Sequence, residues 1–165
     1  MKLRRLCLLA LTITLAACGF TPMYGKLGNG DVAGTLNNIQ ISNIPDHQGL
    51  QLRNNLIDRF YRHGRPADPT YFLDIAPIIV SKTDLDLTKD ATATRSQLTV
   101  STVMRFSDKR TGAILLERSF TSSASYDILD SRFTTRVSED NAEQNALEDL
   151  ARQIEQQIVL YLHRK

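Results

Sequence analysis

One residue near the start of the chain stands where its side chain could be chemically modified. Cys18 directly follows Ala16 and Ala17, which close a segment with the order of parts of a secretory signal. The apolar body of this segment covers residues 6–15, and its basic head consists of Lys2, Arg4 and Arg5. Because a signal of this kind is removed after export, we predict that the segment is not part of the fold.

The sequence Leu15-Ala16-Ala17-Cys18-Gly19 resembles the lipobox of bacterial lipoproteins. In that class the cysteine thiol receives a diacylglyceryl group, the chain is cut before the cysteine, and the freed amine is usually acylated. The resemblance implies a cleaved signal at residues 1–17, cleavage between Ala17 and Cys18, and covalent lipid on Cys18 with no other cofactor. Gly19 is not the aspartate that retains lipoproteins of enteric bacteria at the inner membrane. We therefore expect the lipidated protein to be anchored on the periplasmic side of the outer membrane.

Acyl chains on Cys18 would hold the protein firmly on a membrane. Each buried CH₂ group contributes roughly 0.8 kcal/mol, and two or more chains give stable anchoring. One alternative is an ordinary secretory signal with a cysteine that falls near the cleavage point by chance. A transmembrane helix is the other, but the apolar body is only about half of the roughly 20 residues that span a bilayer.

Apart from Cys18, the sequence contains no pattern typical of catalysis or metal binding. The three histidines, at positions 47, 63 and 163, are scattered, and no serine lies in a G-x-S-x-G setting. The aspartates of residues 84–90 suggest a calcium loop, but the glycine and the final glutamate of an EF-hand are missing. We predict a protein that binds rather than catalyses, with no metal.

The charge of the chain excludes a general affinity for nucleic acid. The formal net charge is +2, but the signal carries three basic and no acidic residues, so its removal leaves 17 basic and 18 acidic side chains. Nucleic-acid binding requires a concentrated basic face, which the remaining chain does not show. Cys7 lies inside the signal, so the mature chain has no pair of thiols for a disulfide and its stability must come from a hydrophobic core.

Residues 18–35 are predicted to form the lipidated start and a glycine-rich spacer, and residues 36–165 a single domain. Residues 37–44 alternate like a strand. Residues 48–63 have helical spacing, with an apolar stripe of Leu52, Leu56 and Phe60. Asp46 is predicted to cap this helix and Gly64 to end it. Two interpretations remain open for Arg59, Arg62 and Arg65, namely a solvated helix face or contacts with phosphate or an acidic partner.

Residues 70–80 alternate with a period of two and are apolar on both faces, which favours a central strand. Pro77 lacks an N–H group, so it predicts a bulge or an unpaired stretch there. Ile79 is expected on the same face as Leu73 and Ile75. The polar residues 81–93 are predicted to form the tip of a long twisted hairpin.

Residues 97–106 alternate cleanly, and residues 108–112 predict a hairpin turn with Gly112 at positive φ. The inward side chains are Leu98, Val100, Thr102, Met104 and Phe106. The return strand, residues 113–124, puts Ile114, Leu116 and Phe120 on one face. Arg118 interrupts that face, so either a bulge redirects it or the register differs.

The last helix is predicted to begin at Ser138, with Glu139 and Asp140 near the positive end of its dipole. Its apolar stripe consists of Leu147, Leu150, Ile154, Ile158, Tyr161 and Leu162, with small residues at Ala142, Ala146 and Ala151. The order of elements predicts an α+β two-layer sandwich, in which two helices pack on one face of a four-stranded, mostly antiparallel sheet.

The run from Cys18 to Gly25, CGFTPMYG, resembles the mature start of LptE-type lipopolysaccharide-assembly lipoproteins, particularly those of alphaproteobacteria. That resemblance implies two helices against a four-stranded sheet. It also implies a non-enzymatic subunit of the outer-membrane lipopolysaccharide translocon. In this family the lipoprotein plugs the LptD β-barrel, assists its assembly and can bind lipopolysaccharide.

Phosphates of lipopolysaccharide would require exposed cations. The candidate contacts are Lys82, Lys89, Arg95, Lys109 and Arg110, and the alternative is ordinary solubilising charge. Two other functions are compatible with an acylated Cys18. One is an auxiliary lipoprotein of an ABC-type phospholipid transporter, and the other is a lipid carrier, for which too few apolar residues remain uncovered.

Overall fold

The computed structural model describes residues 32–62, 64–87 and 93–164. The predicted signal peptide, the lipidation site at Cys18, most of the spacer, His63 and Lys89 lie outside these residues. The described part contains eight elements in the order α1 (Val32–Leu36), β1 (Ile39–Ile41), α2 (Asp46–Phe60), β2 (Tyr71–Ile75), β3 (Ile79–Leu87), β4 (Ala93–Asp108), β5 (Ile114–Asp127) and α3 (Arg132–His163).

Strand β4 is the centre of the sheet. On one side, strand β5 pairs antiparallel with nearly the whole length of β4. On the other side, β2 pairs with the last residues of β4 and β3 pairs with its first residues, both antiparallel, while β1 adds to β2 in parallel. Helices α2 and α3 pack on one face of this sheet and contact each other. The predicted α+β sandwich is therefore confirmed, with α1 as a third, short helix at the end of the predicted spacer.

The sheet has five strands within the described residues, whereas four were predicted, because Pro77 divides one predicted strand into β2 and β3. The Ala76 N–H still donates to the Val103 carbonyl at 2.9 Å, so the break is local. It inserts one residue relative to β4, since Ile75 lies opposite Met104 and Ile79 opposite Ser101. A shift of one residue reverses the face. Ile79 is consequently 68% exposed, and its predicted position beside Leu73 and Ile75 is wrong.

A second register shift lies at the start of β5. Phe106 pairs with Leu116 but Ser107 pairs with Ile114, so Leu115 is an extra residue. This bulge turns Ile114 away from the face of Leu116, and Ile114 is 59% exposed, contrary to the prediction. Arg118 lies opposite Met104 on the helix-covered face, as the alternation indicated, and is exposed on the edge strand.

Both long helices begin earlier than predicted. Helix α3 starts at Arg132 with Ser131 as its N-cap, so the predicted start at Ser138 is wrong. The helix extends because residues 132–137 contain neither glycine nor proline. Helix α2 includes Asp46 at φ 67°, and its N-cap is Pro45 without a side-chain bond, so the predicted cap at Asp46 is also wrong.

The end of α2 is determined by a contact with β1. Tyr61 is the C-cap of the helix, and its hydroxyl donates to the Ile39 carbonyl at 2.8 Å. Gly64 has a positive φ but lies three residues beyond the cap, in the loop that follows. At Gly49 a Cβ atom would lie 2.9 Å from the backbone carbonyl oxygen of Ile44, so only glycine allows this close approach.

The core agrees with the predicted faces. The inward side chains of β4 are all buried, as are the stripe of α2 and the first four members of the α3 stripe, and the three alanines of α3 are buried beside them. Phe106 contacts two tyrosine rings, at centroid distances of 5.0 Å from Tyr71 and 5.9 Å from Tyr161. In the described part of the chain no helix is long and apolar enough to cross a membrane.

Candidate functional site: the two ends of the sandwich

The domain has two ends that differ in composition. We call the hairpin end the ends of β3 and β5 with the starts of β4 and α3, where the Ile128 N–H donates to the Thr94 carbonyl at 2.9 Å. We call the turn end residues 61–70, 108–113 and 161–164 together with α1. Tyr161 near Phe106 shows that α3 finishes there. The long elements thus run from one end to the other.

The structure does not bring the predicted phosphate contacts together. Lys82 and Arg95 lie towards the hairpin end, whereas Lys109 and Arg110 occupy the β4–β5 turn. At about 3.3 Å per residue, β4 separates Arg95 from Lys109 by roughly 45 Å. The confirmed turn is held by Asp108, whose pKa is lowered by hydrogen bonds from Thr111 and from the Arg110 N–H.

The positive charge of Lys82 is already paired with a carboxylate of the domain. Its ammonium group forms an ion pair with Glu139 of α3, and this hydrogen bond raises the pKa of Lys82. The pair lies in a groove of about 690 Å³ between β3, the start of α2 and the first third of α3. The groove is lined by polar and charged side chains, among which Arg136 pairs with Asp140 at 3.2 Å. It therefore does not resemble the apolar cavity that a lipid carrier requires.

Arg95 is a more accessible cation. It lies opposite Asp86 on β3 and Asp127 on β5 in the register, and it is exposed. Arg132, at the start of α3, is exposed as well.

Exposed apolar side chains lie close to Arg132 in the chain. Leu129 is 46% exposed, Phe133 79% and Val137 43%. Phe133 and Val137 are four residues apart on α3 and so share a face of the helix. Leu129 precedes the helix and lies next to Thr135, whose hydroxyl accepts from its N–H at 2.9 Å. We call Leu129, Phe133, Val137 and Arg132, together with Arg95 at the same end but on the open face of the sheet, the hairpin-end surface.

The apolar part of this surface was not predicted from the sequence. Residues 126–135 show no clear helix or strand period, and the predicted start of the helix, Ser138, lies beyond Phe133 and Val137. The spacing of Phe133 and Val137 was the available signal, because it continues the helical period towards the N-terminus.

Of the three arginines around the end of α2, one is used within the fold. Arg59 donates to the Glu155 carboxylate at 3.1 Å and lies 3.5 Å from that of Glu148, both on α3. The side chain of Glu155 is only 3% exposed, so this ion pair is a contact between helices. Arg62 and Arg65 are exposed at the turn end.

A polar network attaches α3 to β5. The Asp149 carboxylate accepts from Gln153 Nε2 at 2.8 Å and from Ser122 Oγ at 2.9 Å, and Arg152 pairs with it. The hydrogen bond from Gln153, followed by the one from Ser122, lowers the pKa of Asp149. Among residues 32–62, 64–87 and 93–164, no three His, Cys, Asp or Glu side chains are placed to hold a metal ion. The charged side chains of this network therefore hold α3 against β5.

Known proteins similar to this chain agree with the fold described above. A family model described as LptE, lipopolysaccharide-assembly, matches residues 36–162, which is well over half of the chain. No curated protein matches significantly.

Several solved structures share the fold. A predicted lipoprotein from Caulobacter crescentus has a TM-score of 0.64 at 23% identity, over 81% of this chain and 97% of that one. The rare lipoprotein B from Shewanella oneidensis has a TM-score of 0.61 at 10% identity, over 76% and 96% of the two chains. A minor lipoprotein from Acinetobacter baumannii has a TM-score of 0.55 at 21% identity, over 74% and 90%.

Proposed function

Because the chain belongs to the LptE family of lipopolysaccharide-assembly proteins, we propose that it is an outer-membrane lipoprotein that fills the lumen of an LptD-type β-barrel. In that position it assists assembly of the barrel and passage of lipopolysaccharide to the outer leaflet. It carries out no reaction of its own. Its role is to bind and to position.

The open face of the sheet supports contact with a barrel wall. This face is rich in uncharged hydroxyl groups, such as those of Thr99 and Ser123, which lie 2.9 Å apart across β4 and β5. Its exposed charges include the paired Arg105 and Glu117, 3.1 Å apart. Barrel interiors are polar, so the polar, nearly neutral part of this face matches them. Ile79 and Ile114 are exposed apolar side chains on the same face.

The anchor places the domain beside such a barrel. We propose that Cys18 carries a diacylglyceryl group and an N-acyl chain, because it follows a lipobox-like run. Several acyl chains give effectively permanent attachment. A short tether also raises the local concentration of the domain at the barrel, which favours a complex without additional contacts.

The observation that carries the lipopolysaccharide role is the hairpin-end surface. It combines exposed cations on both sides of this end with large exposed apolar side chains beside Arg132. Lipopolysaccharide has phosphates on sugars that carry acyl chains, so it can engage both kinds of group. In this proposal Arg95 and Arg132 contact phosphate, and Phe133 and Val137 contact acyl chains. Lys89 lies outside the described residues and remains a predicted contact.

Binding of purified lipopolysaccharide tests this role. Arg95→Gln/Arg132→Gln in the full mature chain should weaken binding roughly tenfold, since each exposed ionic contact contributes about 0.5–1 kcal/mol. The control is Arg62→Gln/Arg65→Gln, which removes the same charge from two exposed arginines at the turn end. Equal affinities of the two double variants would contradict the assignment of the hairpin end.

A further inference from the structure

Strand β5 is the outermost strand on its side of the sheet. Within residues 32–62, 64–87 and 93–164 it pairs with β4 alone, so one side of its main chain faces away from the sheet. A strand in this position carries a row of N–H and C=O groups that the sheet itself does not use. Such a row is a template on which a further strand can pair.

The register shows which residues of β5 point outward. In an antiparallel pair, the main-chain groups of successive residues alternate between the two sides of the strand. The Val103 carbonyl accepts from the Ala76 N–H at 2.9 Å, so Val103 points to the side of β2 and β3. Thr102 therefore points to β5, and Phe120, which lies opposite it, points to β4. The register runs without a shift from residue 116 to residue 127, so the even-numbered residues of this part of β5 are bonded to β4.

The odd-numbered residues from Ser119 to Ser125 consequently point their N–H and C=O groups outward. Thr121 supports this assignment, since Gln153 Nε2 of α3 donates to its carbonyl from outside the ladder at 3.3 Å. We call the outer side of residues 119–125 the β5 edge. Ser119, Ser123 and Ser125 are exposed, and the outward groups recur every second residue, roughly 7 Å apart.

The β5 edge lacks the features that protect an edge strand from pairing. Natural edges carry charged side chains, proline or bulges. The bulge and the charged residues of β5 lie outside the β5 edge, at Leu115, Glu117, Arg118 and Asp127. The edge itself, SFTSSAS, contains no charged residue, glycine or proline. About 23 Å of regular strand is therefore open to main-chain pairing.

The side chains around the β5 edge indicate what kind of segment fits it. On the open face they are the hydroxyl groups of its four odd-numbered residues, so a partner strand needs no charge there. On the helix-covered side Leu160 is 42% exposed, and it follows Gln153 by two helical turns and so shares its face of α3. The segment that fits is extended, uncharged and apolar where it meets Leu160.

The proposed location in a barrel lumen decides which chain supplies this segment. A second copy of the domain would have to occupy the lumen that the first copy already fills. The wall of a closed barrel offers no strand either, because each of its strands is paired on both sides. Outer-membrane barrels do carry long loops between their strands, and in some barrels loops plug the lumen.

We propose that the β5 edge takes up an extended, uncharged loop segment of the barrel chain as an additional strand of the sheet. This inference rests on the proposed function, which supplies the barrel. Main-chain hydrogen bonds give such a contact its affinity, and the side chains on either face of the sheet select the segment.

Amide hydrogen exchange at single-residue resolution tests the pairing. The full-length tagged chain is purified with its barrel from membranes in detergent and compared with the chain from residue 18 carrying Cys18→Ser. In the chain alone, Ser123 and Ser125 should exchange fast, whereas Ser122 and Ala124, whose N–H groups face β4, are protected. In the complex, exchange at Ser123 and Ser125 should slow at least about tenfold, because a bonded strand amide exchanges only when the strand opens.

Proline substitution tests the same N–H groups through the lifetime of the complex. Ser123→Pro/Ser125→Pro removes two outward N–H groups and leaves the bonds to β4, and an edge strand tolerates proline in such positions. Ser123→Ala/Ser125→Ala is the matched control, since it removes the same hydroxyls and keeps the N–H groups. The barrel should dissociate from the proline variant about twentyfold faster than from the alanine variant, because each lost hydrogen bond contributes roughly fivefold. Melting curves check that both variants are folded, and the exchange measurement decides the question without any variant.

Fast exchange of Ser123 and Ser125 within the complex, or equal dissociation of the two variants, would overturn the proposal. So would slow exchange in the chain alone, which would assign the β5 edge to another part of this chain or, where the chain sediments as a dimer, to a second copy. Absence of any barrel from the purified protein would instead overturn the proposed function, and this inference with it.

Discussion

Phe106→Ala is expected to lower the free energy of unfolding by about 3–5 kcal/mol, because the ring is fully buried and its removal leaves a cavity. The ring lies between Tyr71 of β2 and Tyr161 of α3, so the loss affects both layers of the sandwich. Urea denaturation of the mature chain, followed by circular dichroism, measures the change.

Phe133→Ala is the matched control, since it removes the same atoms from a ring that is 79% exposed. Its effect on the free energy of unfolding should be under about 0.5 kcal/mol. If the two variants were equally stable, the placement of Phe106 at the centre of the core would be incorrect. A large loss from Phe133→Ala would mean that the ring is covered within the domain and is not free for a ligand.

Arg59→Met is expected to cost about 2–3 kcal/mol of unfolding free energy. The substitution leaves the buried carboxylate of Glu155 without its cation, and an unpaired buried charge is strongly destabilising. The value is below the full cost of a buried pair because the Arg59 side chain is 26% exposed. Chemical denaturation near neutral pH measures it.

The double variant Arg59→Met/Glu155→Met should recover most of this loss, since an apolar pair of similar volume removes the uncompensated charge. Arg136→Met serves as the surface control, because Arg136 and Asp140 form an exposed pair that contributes less than about 0.5 kcal/mol. Additive losses in the double variant would show that the ion pair does not couple the two helices.

Local periodicity was sufficient to predict the core. The alternation of residues 97–106 identified the inward side chains of that part of β4, because a strand covered on one face must alternate; Ser96, also buried, lies just outside it. The stripes of α2 and α3 followed from helical spacing in the same way. The resemblance of residues 18–25 to one family independently implied two helices against one face of a sheet, and the structure confirms this arrangement.

The register of the strands and the first residues of the helices could not be predicted as well as the core faces. Ile79 and Ile114 are exposed because one extra residue precedes each of them, and such a shift depends on pairing with β4 rather than on the local pattern. At Ser138 a good capping sequence did not begin the helix, because Ser131 caps it earlier and neither glycine nor proline interrupts residues 132–137. The turn with Gly112, in contrast, was predictable from glycine at positive φ.

The candidate sites depended on contacts between distant parts of the chain. Lys82 was predicted to contact phosphate, but Glu139, 57 residues later, pairs with it. The separation of Arg95 from Lys109 followed only from the unbroken length of β4. The free side of β5 likewise follows only from the order of strands in the sheet, which no local pattern indicates.

The central claim is that this chain functions while anchored through Cys18 and bound to a barrel in the outer membrane. Native mass spectrometry of the protein, purified from membranes in detergent through a C-terminal tag, tests it most directly. We predict one chain that begins at Cys18, carries the mass of a diacylglyceryl and an N-acyl group, and is bound to one large β-barrel protein. An unmodified chain without a partner, or a chain bound to an inner-membrane ATPase complex, would contradict the claim.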